Sequence, residues 1–168
     1  KLLMYKIKLL ILLFISFLFI SCTNNPTNSQ RYSLDYFSGE KSGLLLKNNL
    51  ESKLRGYEIF DKGSKFLIRG SISNSTELYI TNIDNTSDRE LITTYIDLKV
   101  VNIEENCVTF SFKDNISQFY IFSSGDKFIS NSQASKKIVE INTDTITQNF
   151  IEALIYKQDN ICEWKRIT

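Results

Sequence analysis

The chain has no histidine, one proline, three cysteines and six glycines in 168 residues. Without histidine it lacks the commonest general base, the commonest zinc or iron ligand and the usual activator of a serine or cysteine nucleophile. That absence argues against a hydrolase or a metalloenzyme. No glycines fall at the spacings GxGxxG or GxxxxGK[ST], so nothing supports a nucleotide-binding loop. A surplus of positive charge is missing too, since 20 Lys and Arg stand against 19 Asp and Glu. Nucleic-acid affinity comes mainly from neutralising phosphates, so a nucleic-acid partner is not expected. The expectation is a protein that is not an enzyme and has no catalytic residues, no cofactor and no metal.

What is present begins with a strongly apolar run. Leu9 to Ile20 reads LLILLFISFLFI, preceded by Lys6 and Lys8 and followed by Ser21-Cys22. As a helix, twelve residues reach roughly 18 Å, short of the ~30 Å hydrocarbon core of a bilayer. The run therefore fits the apolar region of a signal peptide better than a permanent span. Met4 opens a compact basic segment, which makes it a candidate for the true start. Lys1, Lys6 and Lys8 all precede Cys22 and no acidic residue does. Cleavage before Cys22 leaves 17 basic and 19 acidic side chains and turns the net charge from +1 to about −2.

The tetrapeptide Phe19-Ile20-Ser21-Cys22 resembles a lipobox, with a small residue at the cleavage position and phenylalanine where an aliphatic residue is usual. It is similar to the relaxed lipoboxes of spirochaete lipoprotein precursors. The resemblance implies cleavage after Ser21, lipidation of Cys22 with diacylglycerol and a palmitate-type acyl chain, and anchoring in the bacterial envelope, with the outer membrane as the expected location. Two or more acyl chains on one cysteine give durable anchoring at about 0.8 kcal/mol per buried methylene. An ordinary cleaved signal or an uncleaved anchor helix are the alternatives. Residues 23–30, TNNPTNSQ, contain no apolar side chain other than the lone proline and read as a flexible tether.

Residues 31–168 are expected to form a single globular domain. Short alternating apolar runs separated by Asn, Asp, Ser and Gly predict antiparallel strands. The candidates are residues 31–37, 57–60, 65–72, 77–83, 91–104, 107–112, 118–123, 136–142 and 161–167. Val108, Phe110 and Phe112 are placed on one strand face, and Lys113-Asp114-Asn115 is read as a turn. A capping-box pattern at Thr145 and Gln148, with a stripe of Ile146, Phe150, Ile151, Leu154 and Ile155, predicts a helix over 145–157. Leu46, Leu50 and Leu54 predict a second helix over 44–55 with Gly56 as its C-terminal cap. The expected class is mainly β, an α+β domain with a single antiparallel sandwich or barrel-like sheet and a helix from the C-terminal region packed on it.

Candidate chemistry is sparse. Cys107 and Cys162 would face an oxidising compartment once Cys22 carries lipid, so they are either a disulfide or two buried thiols. Asp84, Thr86 and Asp88 have the alternate spacing of a calcium loop, but Arg89 stands where glycine is needed. Ser124 with Lys127 and Glu104 with Glu105 show no catalytic geometry, and the triplets beginning at Asn74, Asn85 and Asn115 read as turns. The one unusual feature is aromatic density, with Phe110, Phe112, Phe119, Tyr120, Phe122 and Phe128 within nineteen residues. Either half of these rings face outward as a binding surface, Tyr120 and Phe122 if Phe119 and Ile121 face in, or the sheet is covered on both faces. Tyr120 to Phe128, YIFSSGDKF, is faintly similar to a strand-turn in spirochaetal outer-surface lipoproteins that capture host complement regulators, and no site residue is carried over from it. The functional expectation is a membrane-anchored lipoprotein that binds a protein of unknown identity, such as a host-interacting antigen or adhesin. The alternative is a small-ligand carrier with an apolar cavity.

Overall fold

A computed structural model describes residues 30–80, 88–122 and 128–156. The elements are strand β1 (Ser33–Ser38), helix α1 (Glu40–Gly56), strands β2 (Phe66–Ile80), β3 (Asp88–Asn102) and β4 (Cys107–Phe122), and helix α2 (Phe128–Tyr156). The four strands form one sheet in the order β1-β2-β3-β4. β1 pairs parallel to β2, while β2–β3 and β3–β4 are antiparallel. The sheet is therefore mixed rather than purely antiparallel. It is open among the described residues, not a barrel, and both predicted helices pack on it rather than the C-terminal-region helix alone.

The parallel pair follows from α1, which returns the chain to the start of the sheet before β2 begins. Gly39 makes the turn into this helix at φ 118°, and a Cβ there would lie 2.4 Å from the Ile72 carbonyl oxygen, so the position requires glycine. Leu46, Leu50 and Leu54 repeat every four residues and are fully buried against the sheet. Gly56 is the last residue of the helix and not its left-handed cap; Glu58, at φ 60°, is the left-handed residue that turns the chain away.

α2 runs through the segment expected to be a strand at 136–142 and through the presumed cap at Thr145. The hydroxyls of Thr143, Thr145 and Thr147 donate to the carbonyls four residues earlier, at Val139, Ile141 and Thr143. A threonine that bonds back in this way is an interior residue and not an N-cap. Gln148 donates to Glu152 and to the Tyr57 hydroxyl, so it does not close a capping box. The stripe of Ile146, Phe150, Ile151 and Leu154 is buried as the periodicity required.

Two predicted breaks do not occur. β2 is continuous from Phe66 to Ile80, because Asn74 accepts from the Thr94 hydroxyl and donates to Ser42. β4 passes straight through Lys113-Asp114-Asn115, because Lys113 pairs with Asp97 at 2.8 Å and Asp114 accepts from Asn149 at 3.1 Å. The triplets at Asn74 and Asn115 are thus strand interior. Tyr57 to Phe60 contributes only one bridge, Tyr32 to Phe60. The predicted strand at 161–167 lies outside the described residues.

The core fills the space between the helices and one face of the sheet. It joins the α1 leucines and the α2 stripe to Ile68 and Ile72 on β2 and to Ile96, Leu98 and Val100 on β3. Phe150 is sealed between Phe110, stacked at 5.8 Å, and Phe112, edge-on at 5.5 Å. Lys53 of α1 reaches Asp144 of α2 at 2.9 Å.

Candidate functional site

The helices cover one sheet face, and strand alternation sends the other residues to the opposite, open face. The register identifies them. Glu77 pairs with Leu91 and Leu91 with Phe119; Tyr79 pairs with Arg89 and Arg89 with Ile121. These six side chains share the end of the open face farthest from β1. Phe119 is 57% exposed, Ile121 70% and Tyr79 43%. The Tyr79 and Phe119 rings meet edge-on at 5.5 Å, and the Tyr79 hydroxyl donates to Glu77 at 3.0 Å. That carboxylate holds the Tyr79 hydroxyl above its ordinary range. An apolar cluster with a polar rim, presented to solvent, has the anatomy of a recognition surface.

Alternation alone left open which set of rings faces out, and the structure selects the odd-numbered one. Phe119 and Ile121 face out, while Tyr120 faces the helix side, where its hydroxyl donates to Glu90. Desolvation, and then the Glu90 carboxylate, push the Tyr120 hydroxyl up to about 12. Parity along β4 is reset by a bulge: Val100 pairs with Phe110 while Val101 pairs with Val108. Thr109 is the inserted residue, buried, with its hydroxyl on the Val100 carbonyl at 3.3 Å. Val108 and Phe110 consequently oppose consecutive residues of β3 and point to opposite faces, against the expectation of one shared face.

Among the described residues the remaining sequence candidates do not gather into one site. Cys22, the expected lipidation site, lies outside the described residues, and so do Cys162, Asp84, Thr86, Ser124, Lys127 and the triplet at Asn85. Cys107, the first residue of β4, is buried and carries a disulfide whose partner is outside the described residues. Glu104 and Glu105 sit in the turn after β3 rather than in a strand, and Asn102 accepts from both of their amides. Glu104 pairs with Lys65 at 2.8 Å. Among the described residues no three acidic or cysteine side chains converge on a metal position, and no helix is long and apolar enough to cross a membrane. The sheet is open among the described residues and does not close there into the barrel expected for a carrier's cavity.

No protein-family model and no curated protein matches the chain. Solved structures do. A minor lipoprotein from Acinetobacter baumannii superposes with TM-score 0.57 at 11% identity, over 74% of this chain and 91% of that one. Rare lipoprotein B from Shewanella oneidensis gives 0.55 at 13% identity, over 75% and 94%. At such identities the likeness is one of fold: this chain shares the architecture of bacterial lipoproteins.

Proposed function

We propose that the protein is a lipid-anchored lipoprotein of the bacterial envelope, held by Cys22 at the outer membrane, and that it binds a partner protein through the exposed end of its sheet. The observation that carries this reading is the exposed patch of Tyr79, Leu91, Phe119 and Ile121, at the end of the sheet opposite the point where the described chain enters it. Ser33 pairs with Leu67, so the chain enters the fold beside the start of β2. Tyr79 lies twelve residues farther along, roughly 40 Å at ~3.4 Å per residue. A lipid at Cys22 would anchor the protein through the entry end of the sheet, and the patch lies at the opposite end of the same strands, which supports its access to a second protein. The fold shared with bacterial lipoproteins supports the same reading, as does the lipobox-like sequence before Cys22.

Two measurements test it. Cys22→Ser should shift the protein from the membrane fraction to the soluble fraction, and loss of the acyl mass should accompany the shift. A photoreactive amino acid at Phe119 should crosslink a discrete partner in living cells, while the same group at Lys47 on α1 should not. Unchanged membrane association of Cys22→Ser, or identical crosslinking from the two positions, would refute the corresponding half of the proposal. Protease treatment of intact cells then decides between a host-facing adhesin and a partner within the envelope.

A further inference from the structure

At the other end of the open face, beside β1, lies a groove of about 340 Å³ lined by Asp35, Tyr36, Arg69, Ser71, Asp97 and Lys99. Its volume is within the usual range of small-molecule sites, about 300–1,000 Å³. Its charge arrangement breaks a rule of sheet construction. Arg69 on β2 and Lys99 on β3 are direct cross-strand partners, so their Cβ atoms are roughly 5 Å apart on one face, where like charges destabilise the sheet. Neither has an ion pair or a side-chain hydrogen bond among the described residues. The nearest carboxylate on the same strands does not relieve them: one oxygen of Asp97 is taken by Lys113 and the other has no partner. Local conflict of this kind, with neither cation ion-paired among the described residues, is characteristic of functional sites.

The opposite wall of the groove comes from an irregularity of β1. The register with β2 slips between Leu34 and Phe37, leaving Asp35 and Tyr36 without ladder partners. A bulge redirects side chains, and here both residues project into solvent, Tyr36 at 73% exposure. Among the described residues the groove thus offers two cations that make no ion pair, the exposed Asp35 carboxylate, which can accept from hydroxyls, and the open face of the Tyr36 ring. An oxyanion meets the cations through charge-assisted hydrogen bonds, hydroxyls meet Asp35, and the apolar face of a sugar ring meets Tyr36. We propose that this groove binds an acidic sugar, its carboxylate or phosphate seated between Arg69 and Lys99. The site is separate from the aromatic patch at the far end of the sheet and stands without it.

Calorimetric titration of the mature, lipidated protein in detergent tests the proposal with glucuronate, glucose 6-phosphate, glucose, acetate and inorganic phosphate as probes. At least one of the two acidic sugars should bind about tenfold more tightly than glucose and than the simple anion matching its acid, the effect of one charge-assisted hydrogen bond. Which of the two binds better reports whether the acid is carboxylate or phosphate. Arg69→Gln and Lys99→Gln should each weaken that binding by about fivefold or more, and should melt at or above the wild-type temperature because each removes a like-charge repulsion. Tyr36→Ser should weaken the acidic sugar and leave inorganic phosphate unchanged. The proposal is overturned if neither acidic sugar outcompetes glucose, if the simple anions bind as well as the sugars, or if either cation variant binds like wild type.

Discussion

Phe150→Ala is the perturbation that most directly tests how α2 is seated on the sheet. The ring is fully buried, stacked on Phe110 at 5.8 Å and edge-on to Phe112 at 5.5 Å, and flanked in the core by the α1 leucines. Truncating a buried phenylalanine removes the transfer free energy of the ring and leaves a cavity, together about 3–5 kcal/mol. Each lost aromatic pair adds about 0.5–1.5 kcal/mol of coupling. The neighbours cannot close the gap easily, because Phe110 and Phe112 are fixed to a strand paired along its whole length with β3. Urea unfolding of wild type, Phe150→Ala, Phe112→Ala and the double variant, followed by circular dichroism, gives both the cost and the coupling. The reference is Phe119→Ala on the same strand, whose ring is 57% exposed and touches Tyr79; its cost should be about 1 kcal/mol. A Phe150→Ala loss below about 1 kcal/mol, or equal losses at Phe112 and Phe119, would refute the assignment of faces on β4.

Other outcomes follow from single contacts. Gly70→Ala should destabilise by about 1–3 kcal/mol in the same urea assay, since a Cβ there would stand 2.2 Å from the Asp97 carbonyl oxygen and 2.7 Å from Leu98 Cδ2. Spectrophotometric titration should show Tyr32 and Tyr120 ionising last, near 12, the first raised by burial and the second by desolvation and Glu90. Because the folded state raises these two values above the ordinary 10, stability should hold below pH 10 and fall between pH 10 and 12; a flat stability curve over that window would count against the burial of both hydroxyls. Peptide mapping without reductant should recover Cys107 linked to Cys162, and reduction should lower stability by roughly 4 kcal/mol, the loop-closure value for about fifty-five residues. Recovery of Cys162 as a free thiol would exclude that pairing.

Much of the local structure was legible. The i, i+4 leucines of α1 and the apolar stripe from Ile146 to Leu154 marked helices, because a helix repeats its face every three to four residues and only a buried face needs such a pattern. The β-branched run of β3 was legible for the matching reason, a half-buried strand. The groove beside β1 was not. Arg69 and Lys99 are thirty positions apart, and nothing in either neighbourhood signals that their strands will pair in a register that sets them opposite each other. The same holds for Asp35 and Tyr36, which are unremarkable residues until the bulge in β1 turns them outward.

By itself, the sequence determined the periodic elements and the absence of histidine-based chemistry, since both depend on residues near one another or on composition. Tertiary structure alone decided where polar segments remain extended and which rings face out. Lys113-Asp114-Asn115 has the composition of a turn, yet Asp97 and Asn149 hold its side chains from a neighbouring strand and from α2, so the backbone continues as β4. One inserted residue, Thr109, reverses the face of every residue before it relative to those after it, and so joins Phe110 and Phe112 to the core while its neighbour Val108 turns to the other side. Strand alternation has a period of two, so a single-residue shift carries no local penalty that a sequence pattern could register; only the pairing with β3 and the packing of Phe150 fix which face is buried.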